Sequence, residues 1–193
     1  MDENKINRLE NAIKKIHVKT VAPVHLWNPE YCGDLDIRIL RDGSWLYQGS
    51  KINRLNLIKL FSSILKREDD KFFLVTPVEK IGITVDDAPF VIDQLLIEGS
   101  GKTQLISFTT QLGEIVNLNK EHPLRIEYKE NSTQPCPYVI VRNNLDALID
   151  RKTFYRIVDL GRIKKHDGEL WYGVWSSGIF FPLIRKSELE HDN

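Results

Sequence analysis

The sequence predicts an α+β fold in two small domains. Three observations carry this. Short strand-like runs fill the middle of the chain. Helical spacing of apolar residues recurs only a few times. A hairpin–helix–strand succession also occurs twice. The chain has 193 residues, 41% of them hydrophobic and 28% charged. These proportions suit a globular chain and are wrong for a disordered one.

In chain order, Met1–Lys15 places Ile6, Leu9, Ile13 and Ile16 on one helical stripe, so a leading amphipathic helix is expected. Pro23 and Pro29 punctuate the loop that follows. Leu35, Ile37 and Ile39 alternate with charged neighbours, Asp42-Gly43 is a favoured turn, and Trp45 and Tyr47 begin a return strand. Leu55, Ile58, Leu60, Phe61 and Leu65 predict a helix. Glu68-Asp69-Asp70 is a solvated turn, and Phe72–Val75 is a strand stopped by Pro77.

Ile81–Val85 and Phe90–Ile97 read as strands joined by Asp86-Asp87. Gln104–Thr109, Glu114–Leu118, Leu124–Tyr128 and Tyr138–Val141 continue the β-rich stretch. A second helix is expected over Ala147–Leu160, then strands at Leu170–Trp175 and Ile179–Leu183. The repeat runs from Arg41 through Phe72-Phe73, and again from Arg142 through Leu170-Trp171-Tyr172. The expected domains are 1–78, α+β and led by the amphipathic helix, and 79–193, β-rich with one helix. The crevice between related halves is the expected place for a ligand.

Lys and Arg total 27, as do Asp and Glu. Zero net charge disfavours a general affinity for DNA or for anionic membrane. No apolar run approaches the roughly 20 residues of a bilayer span, and the N-terminus lacks the apolar core of a signal peptide. Only Cys32 and Cys136 occur, too few for a disulfide framework. A cytoplasmic setting follows.

The motifs do not describe a catalytic engine. Gly99-Ser100-Gly101-Lys102-Thr103 ends like a phosphate-binding loop, but Leu96 stands where the first glycine belongs, and a strand follows rather than a helix. It reads as a hairpin turn. Trp175-Ser176-Ser177-Gly178 reads likewise as a turn, and neither cysteine has a neighbouring base. No histidine has metal-ligand spacing, so neither metal nor cofactor is expected.

The group with chemical promise is basic and aromatic. Arg54, Lys80, Arg125, Arg142 and Arg151 flank strand ends and supply anion-binding charge. Trp45 and Trp175 supply stacking faces, and His122, before Pro123, a polar contact. The function read from this set is a non-enzymatic sensor of a small anionic, nucleotide-like ligand, with a signalling protein as a further partner. One rival is a protein-interaction module using a sheet edge or the leading helix. A hydrolase or transferase of phosphorylated small molecules is less favoured, since no nucleophile–base pair is visible.

These residues also carry a resemblance. Cys32-Gly33, ILRDGSWLYQG at Ile39–Gly49, Arg54, Leu60-Phe61 and Thr76–Lys80 are similar to a bacterial family without assigned biochemistry, the domain of unknown function numbered twelve eighty-five. VDDAPF at Val85–Phe90, His122–Arg125, YVIVR at Tyr138–Arg142, Leu145–Ile149, Arg151 and WSSGIFF at Trp175–Phe181 continue it. The resemblance implies a duplicated two-domain fold, with a C-terminal half superficially like pleckstrin-homology barrels. It also implies a nucleotide-like ligand between the domains, in signalling. Asn144-Leu145 stands where the family pattern has Gly-Leu, so a different second hairpin turn is expected.

Overall fold

The computed structural model describes residues 22–129 and 132–189. The expected helix over Met1–Lys15 lies outside the described residues, as does the tail with His191. The chain forms two compact units. One runs to Pro89 and includes Asn143–Leu145; the other holds Phe90–Arg142 and the residues from Asp146 onward.

Among the described residues the first unit is a six-stranded sheet with one α-helix, preceded by a 3-10 turn at Val24–Leu26. Its elements are β1 (Tyr31–Ile39), β2 (Trp45–Tyr47), β3 (Ser50–Lys51), α1 (Leu55–Ser63), β4 (Leu65–Glu68), β5 (Lys71–Val75) and β6 (Lys80–Val85). The strand order is β3-β2-β1-β6-β5-β4, and β1 runs parallel to β6. Alternation decides which residues go inside. Leu35, Ile37 and Ile39 of β1 are buried, with Trp45, Leu74 and Ile81. The helix α1 turns Leu57 and Phe61 inward. Phe61 meets the Trp45 ring at a centroid distance of 6.4 Å.

A boundary after residue 78 would leave β6 in the second half. Here β6 is hydrogen-bonded between β1 and β5, and the first unit extends to Pro89. Asp86-Asp87 does lie between β6 and the next strand, as expected, and the two strands it joins belong to different sheets. Asp86 accepts from Arg38 at 2.7 Å and Asp87 pairs with Arg41 at 2.8 Å.

The second unit has two sheets. The larger comprises β7 (Phe90–Glu98), β8 (Leu105–Thr110), β9 (Ile115–Asn117), β10 (Leu124–Tyr128), β11 (Pro135–Arg142) and β12 (Leu145–Ile149), in the order β10-β11-β12-β7-β8-β9. The smaller is β13 (Arg162–His166), β14 (Glu169–Ser176) and β15 (Ile179–Arg185), all antiparallel. Between the sheets in sequence lies α2 (Arg151–Asp159), and the four-residue α3 (Lys186–Leu189) ends the described chain.

Ala147–Ile149, expected as the start of the second helix, is strand. These residues pair in parallel with Phe90–Ile92, and every residue of β12 is buried. A strand covered on both faces loses its alternation and reads like a buried helix. The helix starts where Asp150 caps it, its side chain accepting from the Thr153 amide at 2.8 Å. The hairpin turn before β12 carries Asn143 and Asn144 at φ of 43° and 57°. Asparagine tolerates this left-handed region, so the turn forms without the glycine of the family pattern.

The chain is mostly β, with few helices. Two strands, a helix and three strands follow one another as β11, β12, α2, β13–β15, and the first unit runs likewise as β1, β2, α1, β4–β6 except for the two-residue β3 before its helix. No helix among the described residues is long and apolar enough to cross a membrane.

Candidate functional site

The residues expected to bind an anion do not form one cluster within either unit. In the first unit, Trp45 is 1% exposed and offers no stacking face. Arg54 stands exposed before the first turn of α1, where its carbonyl accepts from Leu57 and Ile58. Lys80 lies on the other face of the sheet, its ammonium 2.9 Å from Glu68 and 5.1 Å from the Phe73 ring.

In the second unit most of the expected charges are already matched. Arg125 grips Asp146 with two parallel bonds of 2.5 and 3.0 Å and bonds Glu127 at 2.7 Å. The Asp146 bonds lead in pushing its pKa above the ordinary arginine value. Arg142 is bound to Glu114 and lies over the Phe90 ring. His122 donates from Nδ1 to the Ile140 carbonyl at 2.9 Å. Arg151 is exposed at the start of α2.

Trp175 is different. On the three-stranded sheet, register places Lys164 opposite Trp171 and Trp175 opposite Phe180, so these side chains share a face. The Lys164 ammonium stands 4.3 Å from the Trp175 centroid and 5.2 Å from that of Phe180. Lys102, from the turn between β7 and β8, stands 5.4 Å from the same indole. Neither lysine has a carboxylate partner among the described residues. Arg185 lies over Trp171 on this face, tied to Glu169.

Two local devices build the arrangement. Phe180 lies across Gly173, where a Cβ would stand 2.7 Å from its ring and 2.3 Å from the Phe181 carbonyl oxygen. The Gly99–Thr103 turn is pinned to the Ser177-Gly178 hairpin turn. Gln104 Nε2 donates to the Trp175 carbonyl at 2.7 Å, and the Ser177 amide donates to the Gln104 carbonyl at 2.9 Å. The phosphate-loop lookalike is therefore a hairpin turn with a short 3-10 piece at Gly101–Thr103. It brings one lysine to an aromatic surface. Sequence reasoning missed Lys164. The available signal was the basic alternation in Arg162-Ile163-Lys164 just before Trp171 and Trp175.

A second arrangement lies in the first unit. A cleft of about 440 Å³ is lined by Tyr31, Asp34, Lys71, Phe73, Lys80 and Gly82, among others. Residues three apart on a regular strand face opposite ways. The register of β1 against β6 slips between Tyr31 and Asp34, and Gly33 sits there at φ 87°. This bulge turns both side chains to one face, and the Tyr31 hydroxyl donates to Asp34 Oδ1 at 2.7 Å.

At the cleft's margin, Glu68 accepts from both Lys80 and Lys66 at 2.9 Å. The Lys80 bond, then the Lys66 bond, holds its carboxyl below the ordinary glutamate range. A carboxyl depressed by folding adds stability that is complete above its unfolded pKa and is lost as pH falls through the folded one. Thermal melts are therefore expected to lose a component as pH falls below the ordinary glutamate range, and Glu68→Gln is expected to remove that component.

Family models match both units. The N-terminal domain of the domain-of-unknown-function family DUF1285 matches residues 22–88, and the C-terminal domain of the same family matches residues 89–183. The chain belongs to the DUF1285 family. A DUF1285 protein from Silicibacter pomeroyi DSS-3, with a 2.50 Å crystal structure, is 52% identical at a TM-score of 0.86, over 94% of this chain and 97% of that one. A DUF1285 protein from Shewanella baltica OS155, with a 1.40 Å crystal structure, is 26% identical at a TM-score of 0.51, over 65% and 91% of the two chains. No curated protein matches the chain. Two stretches that carry the DUF1285 resemblance fall on the devices described above: Cys32-Gly33 at the β1 bulge, and WSSGIFF at the pinned turn and Phe180.

Proposed function

We propose that this protein binds a small anionic, nucleotide-like molecule on the three-stranded sheet of its second unit, and acts through that binding in signalling rather than by catalysis. The observation that carries the reading is the half-buried Trp175 with Lys102 and Lys164 beside its ring and, among the described residues, no carboxylate matched to either lysine. Arg125 and Arg142, by contrast, are neutralised by Asp146 and Glu114. A lysine over an exposed aromatic ring gains only about 0.5–1 kcal/mol. A base stacked in its place gains about 1–3 kcal/mol. The displaced ammonium groups would then meet the phosphates, so the exchange runs in favour of the ligand.

The test is a thermal-shift screen of the purified protein against nucleoside mono-, di- and triphosphates and cyclic dinucleotides. A ligand at about 100 times its Kd stabilises the folded state by roughly 2.7 kcal/mol. The expected result is an upward shift that disappears in Trp175→Ala and in Lys102→Glu/Lys164→Glu. A flat panel, or a shift that survives all of these substitutions, would overturn the reading.

A further inference from the structure

The cleft of the first unit has a different chemistry. Its floor is the Phe73 ring and the backbone at Gly82. Gly82 pairs with Asp34 on one side and with Phe73 on the other. The Asp34 carboxylate lies directly over Gly82, where a Cβ would stand 2.0 Å from its Oδ1. Tyr31 holds the same oxygen from the side and meets Phe73 edge-on, at 6.2 Å and 86°. The carboxylate is thus located by three features: a bulge, a missing side chain and a phenol.

The balance of charge in the cleft is informative. Lys80 is paired with Glu68, which it shares with Lys66, and Asp70 faces Arg67 at 3.6 Å. Two charges remain without an ionic partner among the described residues. One is the exposed Asp34 carboxylate, which accepts a hydrogen bond from the Tyr31 phenol. The other is exposed Lys71, a residue of the same lining. The hydrogen bond to Asp34 leads in raising the Tyr31 phenol above its ordinary pKa.

We propose that this cleft binds a small zwitterion of the free amino acid type. Its ammonium would bond Asp34, its carboxylate would meet Lys71, and its side chain would lie towards Phe73. The volume of about 440 Å³ is within the range of small-ligand sites and leaves room for the larger amino acids. A ligand with only one charge would leave Asp34 or Lys71 unmatched. This reading is independent of the nucleotide-like ligand of the second unit and uses a different set of probes.

The experiment is isothermal titration calorimetry of the full chain with each of the twenty amino acids. The methyl ester and the N-acetyl derivative of every binder serve as single-charge probes. Binding of at least one amino acid is expected, with both of its derivatives at least tenfold weaker. Asp34→Asn, which keeps the shape of the side chain, is expected to weaken binding at least tenfold, and Lys71→Gln similarly. Gly82→Ala provides a second variant, because its methyl group must push the Asp34 carboxylate aside while the sheet backbone stays in place. Silence across all twenty amino acids would overturn the proposal. So would ester binding equal to that of the parent, or full affinity in Asp34→Asn and Gly82→Ala.

Discussion

Trp45→Ala is expected to destabilise the first unit by about 3–5 kcal/mol, the usual cost of emptying a large aromatic site in a core. The indole is 1% exposed, begins β2 opposite Ile39, and packs on Phe61 from α1. Its loss removes a contact between the helix and the sheet. Chemical denaturation should show a lower midpoint with little change in slope. Equal stability of Trp45→Ala and the parent would show that the ring contributes nothing to the core. The reading of Trp45 as a stacking surface predicted the reverse, weaker ligand binding with an unchanged melt, so one melting curve separates the two.

Gly173→Val is the other substitution with a large expected effect. A single added Cβ would stand 2.3 Å from the Phe181 carbonyl oxygen and 2.9 Å from the Pro182 Cα. Backbone atoms cannot swing aside as a side-chain tip can, so β14 and β15 must separate or the strand must buckle. Overpacking costs about 1–3 kcal/mol where side chains can yield, and more where they cannot. We expect a loss above about 3 kcal/mol on that basis. The variant should also shift tryptophan emission to longer wavelength, since Phe180 would be driven off Trp175 and the indole left more exposed to water. Gly82→Ala is the useful contrast, because there the nearest atom is a movable carboxylate oxygen.

Local elements were legible wherever one face was buried and one was wet. Leu124–Tyr128 was read to the residue, its start marked by Pro123. The spacing of apolar residues located α1 and its buried Phe61, but it counted Leu55, which is exposed, and passed over Leu57, which is buried. Leu65 was read as the end of that helix, but it begins β4, opposite Leu74. Burial on both faces hid Ala147–Ile149.

The charged groups were the hardest to read, for a reason of distance along the chain. Arg125 meets Asp146, and Arg142 meets Glu114. Nothing near an arginine in sequence says which carboxylate the fold will bring to it. The Tyr31–Asp34 pair was hidden in another way, because a regular strand would place the two on opposite faces and only the Gly33 bulge reunites them. Trp175 was legible as a candidate, and its lysines were not.

The two parallel pairings have a kinetic consequence. Ile39 lies opposite Val85, and Ala147 opposite Phe90. Each joins the ends of a long stretch whose other strands pair mainly with near neighbours. Hairpins such as β4–β5 and β13–β14 can form within microseconds, but each large sheet stays in two pieces until its distant strands meet. Loop-closure entropy opposes that meeting before any packing offsets it, so high contact order should make each unit a slow folder with exposed strand edges meanwhile. On this argument, joining each parallel pair is the step that limits the rate at which its unit reaches the native state.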